Sequence, residues 1–264
     1  MSESLSEDLN QFINEMEWPQ ETALTAESQV IYERGMDILN MYRGHPQILV
    51  DALKVFQGCG SQAYAAAGCA SALMISAYES GDNYSAAGLE LARPWLLKAQ
   101  ELAPNHVEID FLEADLYIYM RQSEFARAVL DHLNTVDEQK HFYLCLAELY
   151  YWYSQKNQEQ YQRWYDLAVP QATTKGRQIC LLSRAAGFFL AIEEWKKVIG
   201  VYRDLAALDP EDPWLWHNVS LAYYHLERYD KSQQANKKAL EIMDFEVARE
   251  MEALLKKKMS FWKW

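Results

Sequence analysis

Residues 179–210 and 213–244 repeat one another at a constant offset of 34, and a chain built this way must stack units side by side rather than wrap them round one core. Matching pairs are Leu182 and Trp216, Ala185 and Val219, Ala186 and Ser220, Phe189 and Tyr223, Trp195 and Tyr229, Leu205 and Ala239, and Leu208 and Ile242. Within the first part of each unit, apolar residues fall at i, i+3, i+4 and i+7, which draws one stripe on a helix. A short break follows at residues 192–194 and 226–228, then a second amphipathic helix. Pro210 ends one unit and Pro213 opens the next, since proline cannot continue a helix but suits its first turn.

The pattern extends upstream. Leu112, Leu116, Tyr119, Phe125 and Ala128 repeat it in 107–139, and Tyr143, Leu146, Ala147, Tyr150 and Leu167 in 140–176. The segment 61–106 offers Ala77, a Ser-Gly-Asp-Asn turn at 80–83, Ala99 and Leu102. Segment 27–60 offers Ala52, Phe56 and Cys59 after a Gly-His-Pro break. These units resemble the tetratricopeptide repeat family, whose signature is met by Leu182, Ala185, Ala186, Phe189, Val198, Tyr202 and Pro210. The next unit matches with Trp216, Val219, Ser220 and Tyr223 and departs at Ser232, Asn236 and Asp244. The resemblance implies an all-α, right-handed superhelical solenoid of about six helix–turn–helix repeats with a C-terminal capping helix. It also implies that the first helix of each pair lines a concave surface.

The ends read differently from the repeats. An acidic segment, 1–26, carries an amphipathic helix with Leu5, Leu9, Phe12, Ile13 and Met16 on one face, and Ser4 and Glu7 spaced as a capping box. This helix could dock on the first repeat, fold into the groove or serve as another protein's ligand. The solenoid spans 27–246, and 247–264 is a capping helix with a basic-aromatic tail, with Phe245, Val247, Met251, Leu254 and Leu255 expected to face inward.

Charge is unevenly placed along the 264 residues. Residues 1–132 hold 20 acids and 7 bases, while 133–264 hold 18 of each. That field repels nucleic acid and anionic membranes and favours a basic partner at the N-terminal half; plain solubility would explain it equally well. No run of 18 apolar residues marks a membrane span, and the acidic N-terminus is unlike a signal peptide, so a cytoplasmic protein is expected. Cys59, Cys69, Cys145 and Cys180 lack CxxC spacing and read as buried thiols. Nucleotide, zinc and hydrolase fingerprints are absent, and the six histidines are scattered, so no catalytic residue, metal site or cofactor is expected.

Partner binding is therefore the expected function, with a peptide or helix segment held in the concave groove. Once the packing stripe is assigned, Trp214, His217, Leu221 and Tyr224 are left facing outward, as are Tyr151 and Trp152 from the run Tyr150–Tyr153, and Tyr117, Met120 and Arg121. Large rigid aromatics with a polar handle suit peptide recognition. Arg184 and Asn218 fall at groove positions of the resemblance, although the lysines of its carboxylate-binding subclass have no counterpart. Two alternatives stand beside this reading. One is a structural subunit whose terminal segments self-associate or dock at a membrane edge, and the other is an effector-gated sensor or enzyme.

Overall fold

The computed structural model describes residues 2–42, 44–80 and 83–261. Helix α1 (Ser2–Glu15) precedes six consecutive helix pairs, and α14 (Glu246–Phe261) follows them. The first three pairs are α2 (Ala26–Asn40) with α3 (Pro46–Gln57), α4 (Gln62–Ser76) with α5 (Ala86–Leu102), and α6 (Val107–Tyr119) with α7 (Ser123–Val136). The last three are α8 (Phe142–Ser154) with α9 (Gln158–Ala168), α10 (Lys175–Ala191) with α11 (Trp195–Leu208), and α12 (Pro213–His225) with α13 (Tyr229–Ile242). Helices α11 and α13 start and stop 34 residues apart, the offset of the sequence repeat. The fold is thus a helical-repeat solenoid. An antiparallel hairpin of β1 (Tyr78–Ser80) and β2 (Asn83–Tyr84) departs from the all-helical expectation; Gly81 and Asp82, central to the expected turn, lie outside the described residues. Among the described residues no helix is long and apolar enough to cross a membrane.

The turns inside the last four pairs share one design. Arg121, Lys156, Glu193 and Glu227 each take a left-handed backbone, with φ between 53° and 59°. The next residue's N–H then reaches back five residues: Gln122 to Tyr117, Asn157 to Trp152, Glu194 to Phe189 and Arg228 to Tyr223, at 2.8–3.1 Å. This is the Schellman closure, which satisfies carbonyls at a helix end that would otherwise lack partners. Helix starts are equally local. Thr25 and Ser28 form a reciprocal capping box on α2, Asp212 caps α12, and Pro213 occupies the first turn of α12.

The chain divides into two compact units, Met1–Gln178 and Ile179–Trp264. In the first, α4 is buried on nearly every side, as its alanine-rich, all-round apolar text requires. The Phe56 ring fits between α2 and α4 because both helices are bare there. A Cβ on Gly35 would lie 2.2 Å from Phe56 Cε1, and one on Gly68 would lie 2.3 Å from Phe56 Cγ. Helix α1 packs on α4 and α5 through Leu9 and Ile13, and Ser6 Oγ meets Ser76 Oγ at 3.0 Å. The docking site is therefore chiefly the second helix pair. Because α1 already begins at Ser2, the expected capping box at Ser4 does not mark its start.

In the second unit, α14 covers α13, and Asn236 Nδ2 donates to the Ala248 carbonyl at 2.7 Å. The inward face of α14 is Ala248, Met251 and Leu255, whereas Val247 and Leu254, expected inward, are 42% and 40% exposed. Met251 and Leu255 face inward as expected, while Val247 and Leu254 each sit one residue, about 100° of helix turn, from a buried neighbour. The same correction applies to α7, where Ala126, Leu130 and Leu133 are buried while Phe125 is 61% exposed and Ala128 is exposed. The Trp262 and Trp264 of the basic-aromatic tail lie outside the described residues.

Candidate partner-binding surfaces

In the first unit, α2, α6, α8 and the first turn of α10 converge on a cavity of about 150 Å³. These are the opening helices of four repeat pairs. Aromatic rings form one wall: Phe111 stacks on Tyr143 with centroids 5.0 Å apart, and Phe142 meets Tyr143 edge-on at 5.4 Å. Carboxylates form another. Glu108 accepts a hydrogen bond from the Gln29 amide at 2.8 Å and one from the Tyr64 hydroxyl at 3.4 Å. Burial and the Glu108 charge together push the Tyr64 phenol well above its ordinary range. The Arg177 guanidinium lies 5.2 Å over the Phe142 ring, 5.5 Å over Tyr143 and 3.4 Å from Glu33 Oε2. At the rim, His141 Nδ1 lies 2.7 Å from Asp137 Oδ1.

Residues far apart in sequence close this cavity. Thr174 Oγ1 donates to Asp37 Oδ1 at 2.8 Å, across 137 positions, and also accepts the Arg177 N–H at 3.2 Å. Gly176 lets the two backbones touch, since a Cβ there would lie 2.6 Å from the Asp37 carbonyl oxygen. Burial raises the Asp37 carboxyl above its ordinary value, and the Thr174 hydroxyl and Arg177 charge partly counter it. Sequence reasoning missed Glu33, Glu108, Phe111 and Arg177, which belong to no motif. The trace they leave is Gly176, a glycine in a helix's first turn.

The groove residues expected in this unit are engaged by neighbouring helices. Tyr151 and Trp152 lie under Arg127 of α7, whose guanidinium is 5.0 and 5.8 Å from their rings. Arg127 is drawn there by Glu148, which is 1% exposed and receives Nη1 and Nη2 at 3.0 and 2.8 Å. Both aromatics, half-buried, thus pack against α7 through Arg127. At the end of α6, Tyr117 stacks on Phe125 at 5.5 Å, Met120 Sδ accepts from Arg93 Nη2 at 3.2 Å, and Arg121 donates to Asn83 Oδ1 at 2.7 Å. These three gather against α5 and the hairpin, away from the residues that line the cavity.

In the second unit, Trp214 is 47% exposed and rests on Phe245 at 4.7 Å, with Asn218 and Leu221 half-buried four and seven residues on. His217 corrects the expected face. It is 5% exposed and near the rings of Trp214 and Phe245, and burial holds its pKa below the ordinary value. Trp216, expected to pack, is half-buried instead; its N–H donates to the Pro210 carbonyl at 3.2 Å and Lys238 lies 4.2 Å over the ring. Tyr224 meets Tyr229 at 5.5 Å and His225 at 6.0 Å, and Arg184 is half-buried on α10.

The four thiols are unpaired, and burial pushes Cys145 up to about 12 with help from the Asp137 charge. Such a thiol is a core residue rather than a nucleophile at neutral pH.

No protein-family model and no curated protein sequence matches the chain. Solved structures do. A crystal structure of the APC/C hetero-tetramer Cut9–Hcn1 superposes with a TM-score of 0.60 at 12% identity, over 96% of this chain and 46% of that one. A tetratricopeptide repeat protein from Parabacteroides merdae superposes with a TM-score of 0.51 at 14% identity, over 95% of this chain and 91% of that one. This chain thus spans about half the length of the first. These likenesses establish the fold, that of tetratricopeptide-repeat structures.

Proposed function

We propose that this protein is a scaffold that holds a segment of a partner protein, and that it does so in the cavity between α2, α6, α8 and α10. The observation that carries the reading is the convergence of four opening helices on one hollow with aromatic walls and charged groups of both signs. Helical repeats offer little beyond their surfaces, so function must reside in the side chains the stack presents. Aromatic walls supply contact area at low entropic cost, and the charged groups give direction. The acid-rich first half favours a basic segment there. On α12, Trp214, Asn218 and Leu221 offer a second, smaller contact face. We read the protein as cytoplasmic and non-enzymatic, with the four unpaired thiols in keeping with a reducing compartment.

Affinity purification of the tagged chain from its own cells tests this. A partner recovered in near-stoichiometric amount by the wild type should be lost from Glu33→Arg, which reverses a charge at the cavity. Retention of every partner by that variant, with helicity unchanged, would remove the cavity from the reading. A second reading, self-association, is favoured by the exposed Val247 and Leu254, seven residues apart on α14. Light scattering decides it: a dimer that Leu254→Glu converts to a monomer supports it, and a concentration-independent monomer rejects it.

A further inference from the structure

We infer that the cavity of the first unit is a receptor for a guanidinium side chain, an arginine presented by the partner segment. The inference rests on the scaffold reading above and names the chemistry of its anchor.

Charge is the first argument. Glu33 and Glu108 line the hollow against the Arg177 guanidinium, and His141 at the rim is matched by its own carboxylate partner, Asp137, at 2.7 Å, which leaves a surplus carboxylate in a partly enclosed space. Attraction for a cation is stronger there than in bulk water. Acceptor capacity remains as well. A carboxylate offers about four lone-pair sites, and Glu108 uses two, for Gln29 and Tyr64. Among the described residues, Glu33 has only the long contacts to Arg177 at 3.4 Å and to Gln29 at 3.5 Å.

Shape is the second argument. The rings of Phe142 and Tyr143 already hold a guanidinium, that of Arg177, at cation–π distance. The protein's own side chain thus shows what these walls accept. Beside Arg177 there remains about 150 Å³, a volume that in other proteins takes a benzene-sized group. The six heavy atoms of arginine from Cγ outward are of that size. An acidic side chain would meet the carboxylates of Glu33 and Glu108 and be repelled.

Titration of the full chain with N-acetylarginine methylamide, followed by NMR, tests the inference, with the norleucine and glutamate analogues as comparators. The arginine analogue should bind saturably and the norleucine analogue should not. Glu33→Gln and Glu108→Gln should each weaken it by about tenfold or more, since each removes a charge-assisted contact. Glu108→Gln keeps an acceptor for Gln29 and Tyr64, so circular dichroism should show an unchanged fold. Arg177→Gln removes the resident cation and should tighten binding by about threefold or more. Binding of the glutamate analogue, abolished by Arg177→Gln, would make this an anion site and overturn the inference. So would an arginine analogue that fails to saturate, or one whose affinity is unchanged or weakened by Arg177→Gln. If Glu33→Arg loses the natural partner while no arginine binding is seen, the scaffold reading stands and this one falls.

Discussion

Phe56 shows how much of this fold depends on side chains that are missing. Its ring occupies space left by Gly35 on one helix and Gly68 on another, so it cannot retreat from either. Alanine at 68 would favour the helix by about 1 kcal/mol over glycine, yet its methyl would enter the ring. Overpacking of this kind costs about 1–3 kcal/mol, so Gly68→Ala should lower stability in urea despite the better helix former. Equal or greater stability would show that the ring can yield. His217 makes a pH-dependent counterpart in the other unit. Its folded-state pKa lies below the ordinary 6.5, because burial disfavours the imidazolium. The unfolded chain therefore takes the proton first, and stability present above 6.5 is lost as the pH falls through that value toward the folded pKa. Thermal melts between pH 8 and about pH 5 should show this acid loss reduced in His217→Gln. Identical pH profiles for the two proteins would show that His217 contributes nothing to it.

At the scale of the element, the turns inside the pairs carry a strain that the repeat tolerates. Glu227 adopts φ 57° without being glycine. A left-handed backbone costs an L-residue about 1–2 kcal/mol, and glycine gives back part of the gain through the freedom it adds to the unfolded chain. Glu227→Gly should therefore stabilise the protein by about 0.5–1 kcal/mol, measured as a higher urea midpoint; a lower midpoint would mean the Glu227 side chain holds the turn. The existence of these elements was legible in the sequence because the 34-residue offset fixes where helices and breaks recur. Their rotation was less so. A packing stripe read from apolar letters alone misplaces Trp216, His217, Phe125 and Leu254, since tryptophan and phenylalanine can lie flat on a surface and histidine can be buried among aromatic rings, here those of Trp214 and Phe245. The setting of Tyr151 and Trp152 was hidden for a related reason: the buried Glu148 draws Arg127 across them, and no spacing rule reveals that pairing.

For the molecule as a whole, the repeat describes neighbours and is silent about distant contacts. In a purely one-dimensional array each unit touches only the next, and by that logic α2 and α10 should never meet. They do, through Thr174, Gly176 and Arg177 on Asp37 and Glu33. The candidate cavity owes its closure to this contact, which explains why the periodicity that located the helices could not locate the site. Closing a loop of 137 residues is entropically costly, though the cost rises only slowly with length. The contact should repay that cost by making the first unit unfold more cooperatively than a simple stack would. Gly176→Ala isolates the effect, because its methyl would collide with the Asp37 backbone and nothing else need change. Hydrogen exchange should then quicken together in α2 and at the start of α10, while α12 to α14 keep their wild-type protection. If α2 exchanges in the variant as it does in the wild type, the long-range contact holds no free energy, and the first unit behaves as an ordinary stack of neighbours.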